Sequence, residues 1–149
     1  MASTTAAGTK LAISAGIPAA QTTTAYEALT YTTIAGVEQI GTFGAATEVV
    51  TFTPLDGPVE KYKGPTNYGQ LQPTIKVDDA DAGQTLLRTA SAPDQNGLYA
   101  TKITKPDGTL GFCQVRVFGF PETIGAANSI ITAQPVMEIN TPILKKAAA

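Results

Sequence analysis

The 149-residue sequence has no histidine, no tryptophan and a single cysteine. Each absence removes a class of chemistry. Without histidine the chain lacks the commonest general base and the commonest metal ligand. One cysteine excludes an internal disulfide, a thiolate zinc site and an iron–sulfur cluster. Charge is also scarce. Asp, Glu, Lys and Arg make up 15% of the residues, against roughly 25% in ordinary soluble domains. The net charge is −2, the wrong sign for a protein that grips nucleic acid by neutralising phosphates. The only close basic pairs, Lys61 with Lys63 and Lys145 with Lys146, read as solvated surface. No stretch approaches the roughly 20 apolar residues of a membrane-spanning helix, and no membrane span is expected. The first nine residues carry no basic side chain, and Gly16 and Pro18 break the apolar run behind them. A cleaved signal peptide is therefore not expected, and synthesis in the cytosol fits the sequence.

What is present is a chain of ordinary hydrophobic content (43%) rich in alanine and threonine, with 14 Gly and 10 Pro. This length suits one domain, 1–149, with a real core. Residues 1–25 are small and weakly polar and read as an N-terminal arm with one extended piece, Lys10 to Ser14. Residues 26–53 read as β, with Tyr26 to Ile34, Val37 to Phe43 and Glu48 to Thr53 as strands. Residues 54–69 (PLDGPVEKYKGPTNYG) hold three prolines and three glycines and read as a long loop. A connection of that length inside a compact domain is disordered or functional. Tyr62 and Tyr68 suggest that it packs on something, either its own domain or a partner. Leu71 to Val77 alternates as a half-buried strand, with Pro73 marking an edge or a bulge.

One helix is expected, from about Asp79 to Ala90. Asp78, Asp79 and Asp81 crowd its start, where negative charge meets free N–H groups. Ala82, Leu86 and Ala90 form a narrow apolar stripe. Beyond it, Leu98 to Thr104 and Thr109 to Phe120 read as a hairpin across Lys105-Pro106-Asp107-Gly108. Residues 128–140 form a last strand bulged at Pro135, and 141–149 trail off as a C-terminal arm. Strands with a single helix predict a mainly β fold: a two-sheet β-sandwich or partly closed barrel with one flanking helix, and a core over 26–140.

A search for catalytic chemistry finds little. Hydroxyls are mostly threonines with no imidazole to activate them. Cys113 lies in an apolar strand and reads as a buried core residue. The Asp78–Asp81 cluster lacks the further oxygens of a calcium loop, so helix capping explains it more simply. Gly57 to Lys61 has the wrong spacing for a phosphate-binding loop. A carboxylate pair for glycoside hydrolysis stays open, because spatial separation decides it. No catalytic, cofactor-binding or metal-binding residue is assigned, and a structural role is expected.

A series of segments carries a family likeness. They are GTKLAISAGIP, AYEALTYTTIAGVEQIGTFG, EVVTFTPL, VEKYKGPTNYGQL, DDADAGQTLLRTA, PDGTLGFCQVRVFGFP and IGAANSIITAQPVMEIN. In this order and over nearly the whole chain, the sequence resembles the tail tube proteins of long-tailed bacteriophages and related tail-like particles. The resemblance implies six subunits per ring and rings stacked into a hollow tube that DNA crosses without specific binding. It implies a virion protein made in the host bacterial cytoplasm. Its implied partners are further copies of itself, the tape measure protein, the distal tail or baseplate and the tail terminator. It places bridges between subunits in the loop 54–69, at Lys61, Tyr62, Lys63 and Tyr68, and in the two arms. Glu27, Glu38 and Glu48, in a region almost free of basic residues, are candidates to face the lumen. Another β-sandwich phage protein, a tail terminator or a capsid decoration protein, is the alternative.

Overall fold

In the computed structural model, residues 5–147 are described. The chain runs β1 (Lys10–Ser14), α1 (Thr23–Glu27), β2 (Thr32–Thr33), β3 (Val37–Gln39), β4 (Ala46–Phe52), β5 (Glu60–Asn67), β6 (Gln70–Leu71) and β7 (Thr74–Lys76). It continues with α2 (Ala82–Ala90), β8 (Tyr99–Thr104), β9 (Leu110–Gly119), β10 (Glu122–Thr123), β11 (Thr132–Ala133), β12 (Val136–Ile139) and β13 (Leu144–Lys146). The strands build a seven-stranded sheet in the order β2-β1-β8-β9-β12-β6, with β13 also on β9, and a four-stranded sheet, β10-β11-β7-β3. Strands β4 and β5 form a separate two-stranded ribbon. All pairings are antiparallel. The fold is mainly β, sandwich-like, with no closed barrel.

The main core joins both sheets and the helix. Leu11, Ile13, Val115, Val117, Met137 and Ile139 come from the large sheet, Ile75 and Ala133 from the small one, and Leu87 and Ala90 from α2. The other face of the large sheet is covered as well. There α1 sets Tyr26 on Phe112, with ring centroids 5.3 Å apart and stacked, and Ala100 completes the cluster. This explains the two-sided apolar character of β9. Cys113, Val115 and Val117 face the main core while Phe112 faces α1.

Three expectations are corrected. The segment around Lys10–Ser14 is no loose arm: β1 lies between β2 and β8, and Leu11 and Ile13 are fully buried. Its alternation was too short to stand out beside small neighbours, yet two large side chains suffice when strands flank both edges. Residues 26–34 are not one strand. Thr22 caps α1, its side chain accepting from the Ala25 N–H at 3.2 Å, and tertiary stacking of Tyr26 overrides its β preference. The C-terminal segment also joins the sheet, as Leu144 to Lys146 pair with Phe112 to Leu110. The ends of the two expected arms, 1–4 and 148–149, lie outside the described residues.

The expected helix is present, shifted by its cap. Asp81 caps α2, its carboxylate accepting from Gln84 N–H at 3.0 Å and from Ala35 N–H at 3.2 Å. Gly83 lets the helix meet β2 directly. A Cβ there would lie 2.5 Å from the Thr33 carbonyl oxygen and 2.8 Å from Ile34 Cα. Backbone cannot yield as a side-chain tip can, so Gly83→Ala is expected to destabilise the fold by about 3 kcal/mol, measured by urea unfolding.

Cys113 is buried, as its apolar setting predicts. Burial pushes its thiol up to about 12. The folded state therefore holds this proton more tightly than the unfolded chain. Its contribution is fully present below pH 9.0, the thiol's ordinary value, and is lost as the pH rises toward 12. Two results are expected. The native thiol resists a thiol-reactive dye at pH 8 and reacts in denaturant. Cys113→Ser costs about 1–3 kcal/mol for a buried hydroxyl, read from thermal melts.

Candidate assembly surface

The segment expected as a loop is half strand. Residues 60–67 form β5 and pair with β4, so only 53–59 connect the two. Proline and glycine hid this pairing. Pro65 and Gly64 sit inside β5, where each normally argues against a strand. A two-stranded ribbon has free edges on both sides, so a proline can turn its missing donor outward. A Cβ at Gly64 would lie 2.7 Å from Val50 Cγ2, so a side chain there would push the exposed Val50 aside.

The register sorts the ribbon into two faces. Val50 opposes Tyr62 and Phe52 opposes Glu60; on the other face Val49 opposes Lys63 and Thr51 opposes Lys61. Every residue of β4 is exposed. Phe52 retains 60% and Tyr62 57% of its surface, and Val49, Val59 and Leu55 are also exposed. Between the pairs Thr47–Thr66 and Val49–Lys63, Glu48 alone opposes Gly64 and Pro65, so the ladder carries a bulge on β5 opposite Glu48. At the root, Gly69 (φ +87°) crosses the backbone of Gly44, where a Cβ would lie 2.5 Å from the Gly44 oxygen. Tyr68 packs beside this crossing on the main core.

The four bridge candidates thus divide. Lys61, Tyr62 and Lys63 lie exposed on the ribbon, while Tyr68 is half-buried at its root. The three lumen candidates are all exposed but sit on different elements: Glu27 in α1, Glu38 in β3 and Glu48 in β4, opposite the β5 bulge. Glu27 is already paired, with Lys146 at 2.5 Å. Glu38 lies on β3, an end strand of the four-stranded sheet. Among the described residues no group of three or more Asp, Glu, Cys or His side chains forms a metal site. No helix among them is long and apolar enough to cross a membrane.

Sequence reading missed Gln84, which locks the two sheets and the helix together. It is fully buried. Its Nε2 donates to the Ala35 carbonyl at 2.9 Å and to the Lys76 carbonyl at 2.8 Å. Its Oε1 accepts from the Asp78 N–H at 2.8 Å. A glutamine on a helix carries no sign of such a role; only the loop and strand ends that meet it reveal it.

No family model matches the sequence, and no curated protein does. Solved structures do match. One is a chain of the cryo-EM structure of an extracellular contractile injection system, the PVC sheath/tube terminator in its extended state. It aligns over 99% of both chains at TM-score 0.73 and 7% identity. The two chains share one fold. A chain of the six-fold symmetrised baseplate of the anti-feeding prophage aligns over 98% of both chains at TM-score 0.71 and 12% identity. A chain from the tail of an empty GTA particle, solved with C6 symmetry, covers 92% of this chain and 96% of its own at TM-score 0.64 and 15% identity. At such identities the likeness establishes the fold.

Proposed function

We propose that this protein is a structural subunit of a phage tail or tail-like particle, and that copies of it form six-membered rings stacked into the tail tube. One observation carries the reading. The β4–β5 ribbon stands off the core with an apolar face toward solvent. An isolated two-stranded ribbon is marginally stable in water, and exposed apolar strands invite association. A second copy is the natural cover. The shared fold of the baseplate and tail chains, both from assemblies described as six-fold or C6, supports rings of six. In this reading the protein has no catalytic role and resides in the virion tail after synthesis in the host bacterial cytoplasm. Tape measure, baseplate and terminator proteins meet the tube's interior and ends. DNA passes a lumen kept poor in lysine, with Glu27, Glu38 and Glu48 as candidate lining.

A terminator that caps a tube is the second reading, favoured by the sheath/tube terminator structure that aligns end to end. Electron microscopy of the purified protein separates the two. Six-fold rings that stack into tubes support the tube subunit. Single rings that bind only the end of a tube support the terminator, and persistent monomers beside a tail tip contradict both.

A further inference from the structure

A notch lies at the root of the ribbon, formed by a missing side chain. Ile103 of β8 and Lys145 of β13 both pair with Gly111 of β9. This three-strand row therefore has a side chain at each end and none in the middle. A Cβ on Gly111 would meet nothing within 4 Å. Phe43, Leu110 and Ile143 add apolar walls, and Lys105 and Lys145 complete the lining of a cavity of about 310 Å³. Neither lysine has an ion-pair partner among the described residues.

The opposite end of the ribbon has the complementary shape and charge. Leu55 in the connection between β4 and β5 is fully exposed, and Asp56 follows it with no cation paired to it among the described residues. We infer that the notch receives Leu55 from a second copy of this chain, with Asp56 set between Lys105 and Lys145. The seven residues of β4, at about 3.4 Å each, carry the tip about 24 Å from the root. A chain's tip therefore stands far from its own notch, beside which Phe43 begins the ribbon. Tip-to-root contact is head-to-tail, the kind that closes into a ring or runs on as a helix. The inference rests on the assembly reading above and names the surface that receives the ribbon.

Gly111→Val tests it without disturbing the monomer. No positive φ is needed at this strand position, the added side chain enters open space, and valine suits a strand. The variant is expected to keep the wild-type melt and to raise the protein concentration needed for assembly at least tenfold, as is Leu55→Ser. Asp56→Lys is expected to weaken assembly, and the pair Lys105→Asp with Lys145→Asp to restore it. In a Cys113→Ala background, Leu55→Cys with Gly111→Cys is expected to give disulfide-linked oligomers under mild oxidation, unlike the control Leu55→Cys with Ile130→Cys. Gly111→Val rings or tubes at the wild-type concentration would overturn the inference, as would cross-linking no stronger than the control. Wild-type rings together with absent 55–111 cross-links would overturn this docking site and leave the tube reading standing. Absence of wild-type rings would overturn the tube reading itself, while the cross-link still reports on the contact.

Discussion

Gln84→Ala is expected to be the most damaging single change to the monomer. The substitution leaves the carbonyls of Ala35 and Lys76 and the N–H of Asp78 without their side-chain partner. These three hydrogen bonds are part-buried, and a fully buried group so orphaned costs about 1–3 kcal/mol. Water entering the gap recovers part of this, so a loss of about 4 kcal/mol is expected, a large share of the 5–15 kcal/mol typical of a whole domain. A chain of this size then melts about 10 °C lower. Gln84→Glu separates hydrogen bonding from packing. A carboxylate of the same shape would face two carbonyl oxygens, so burial and repulsion raise its folded pKa. The variant therefore regains stability as the pH falls and loses it as the pH rises through that value. Parallel pH profiles for the variant and the wild type would show that the side chain acts by filling space alone.

Removing the ribbon is expected to have the opposite pattern: an intact monomer and no assembly. Thr47 opposes Thr66, with their hydroxyls 3.1 Å apart. Joining these two residues through Asn-Gly, a turn suited to a two-residue hairpin loop, deletes 48–65 and keeps the Gly44–Gly69 crossing and Tyr68. The ribbon supplies no residue to either buried cluster between these joins. Thermal stability should therefore change by less than about 1 kcal/mol, in the range of surface changes, while electron microscopy finds no rings or tubes. A deletion that unfolds the monomer, seen by circular dichroism, would make the ribbon part of the core.

Much of the architecture was legible because long, strongly patterned segments speak for themselves. The helix at Ala82–Ala90 announced itself through its acidic start and its stripe of Leu and Ala. The β8–β9 hairpin followed from two β-rich runs around Pro-Asp-Gly. The single strands expected at 71–77 and 128–140 are corrected: Pro73 separates β6 from β7 and Pro135 separates β11 from β12, and in both cases the chain crosses there from one sheet to the other. Short elements were misread where their signal lay in partners distant along the chain. Five residues, Lys10–Ser14, become a central strand because β8 and β2 supply both edges. Residues 60–67 become a strand despite Gly64 and Pro65 because β4 runs beside them. Lys61, Tyr62 and Lys63 are bridge candidates by their place in the chain, but the face of the ribbon each occupies follows from register, which a bulge opposite Glu48 resets.

By itself the sequence determined the class of the protein: β-rich, with no imidazole or paired thiols for chemistry, and with little charge and a small negative net balance. Those are properties of residue types, and composition carries them wherever the chain goes. Only the tertiary structure decided which elements are core and which stand free. Leu11 and Phe52 are both apolar residues in short strands, yet one is fully buried and the other keeps 60% of its surface exposed. The difference is whether another layer packs across the strand, and that depends on contacts between segments far apart in the chain.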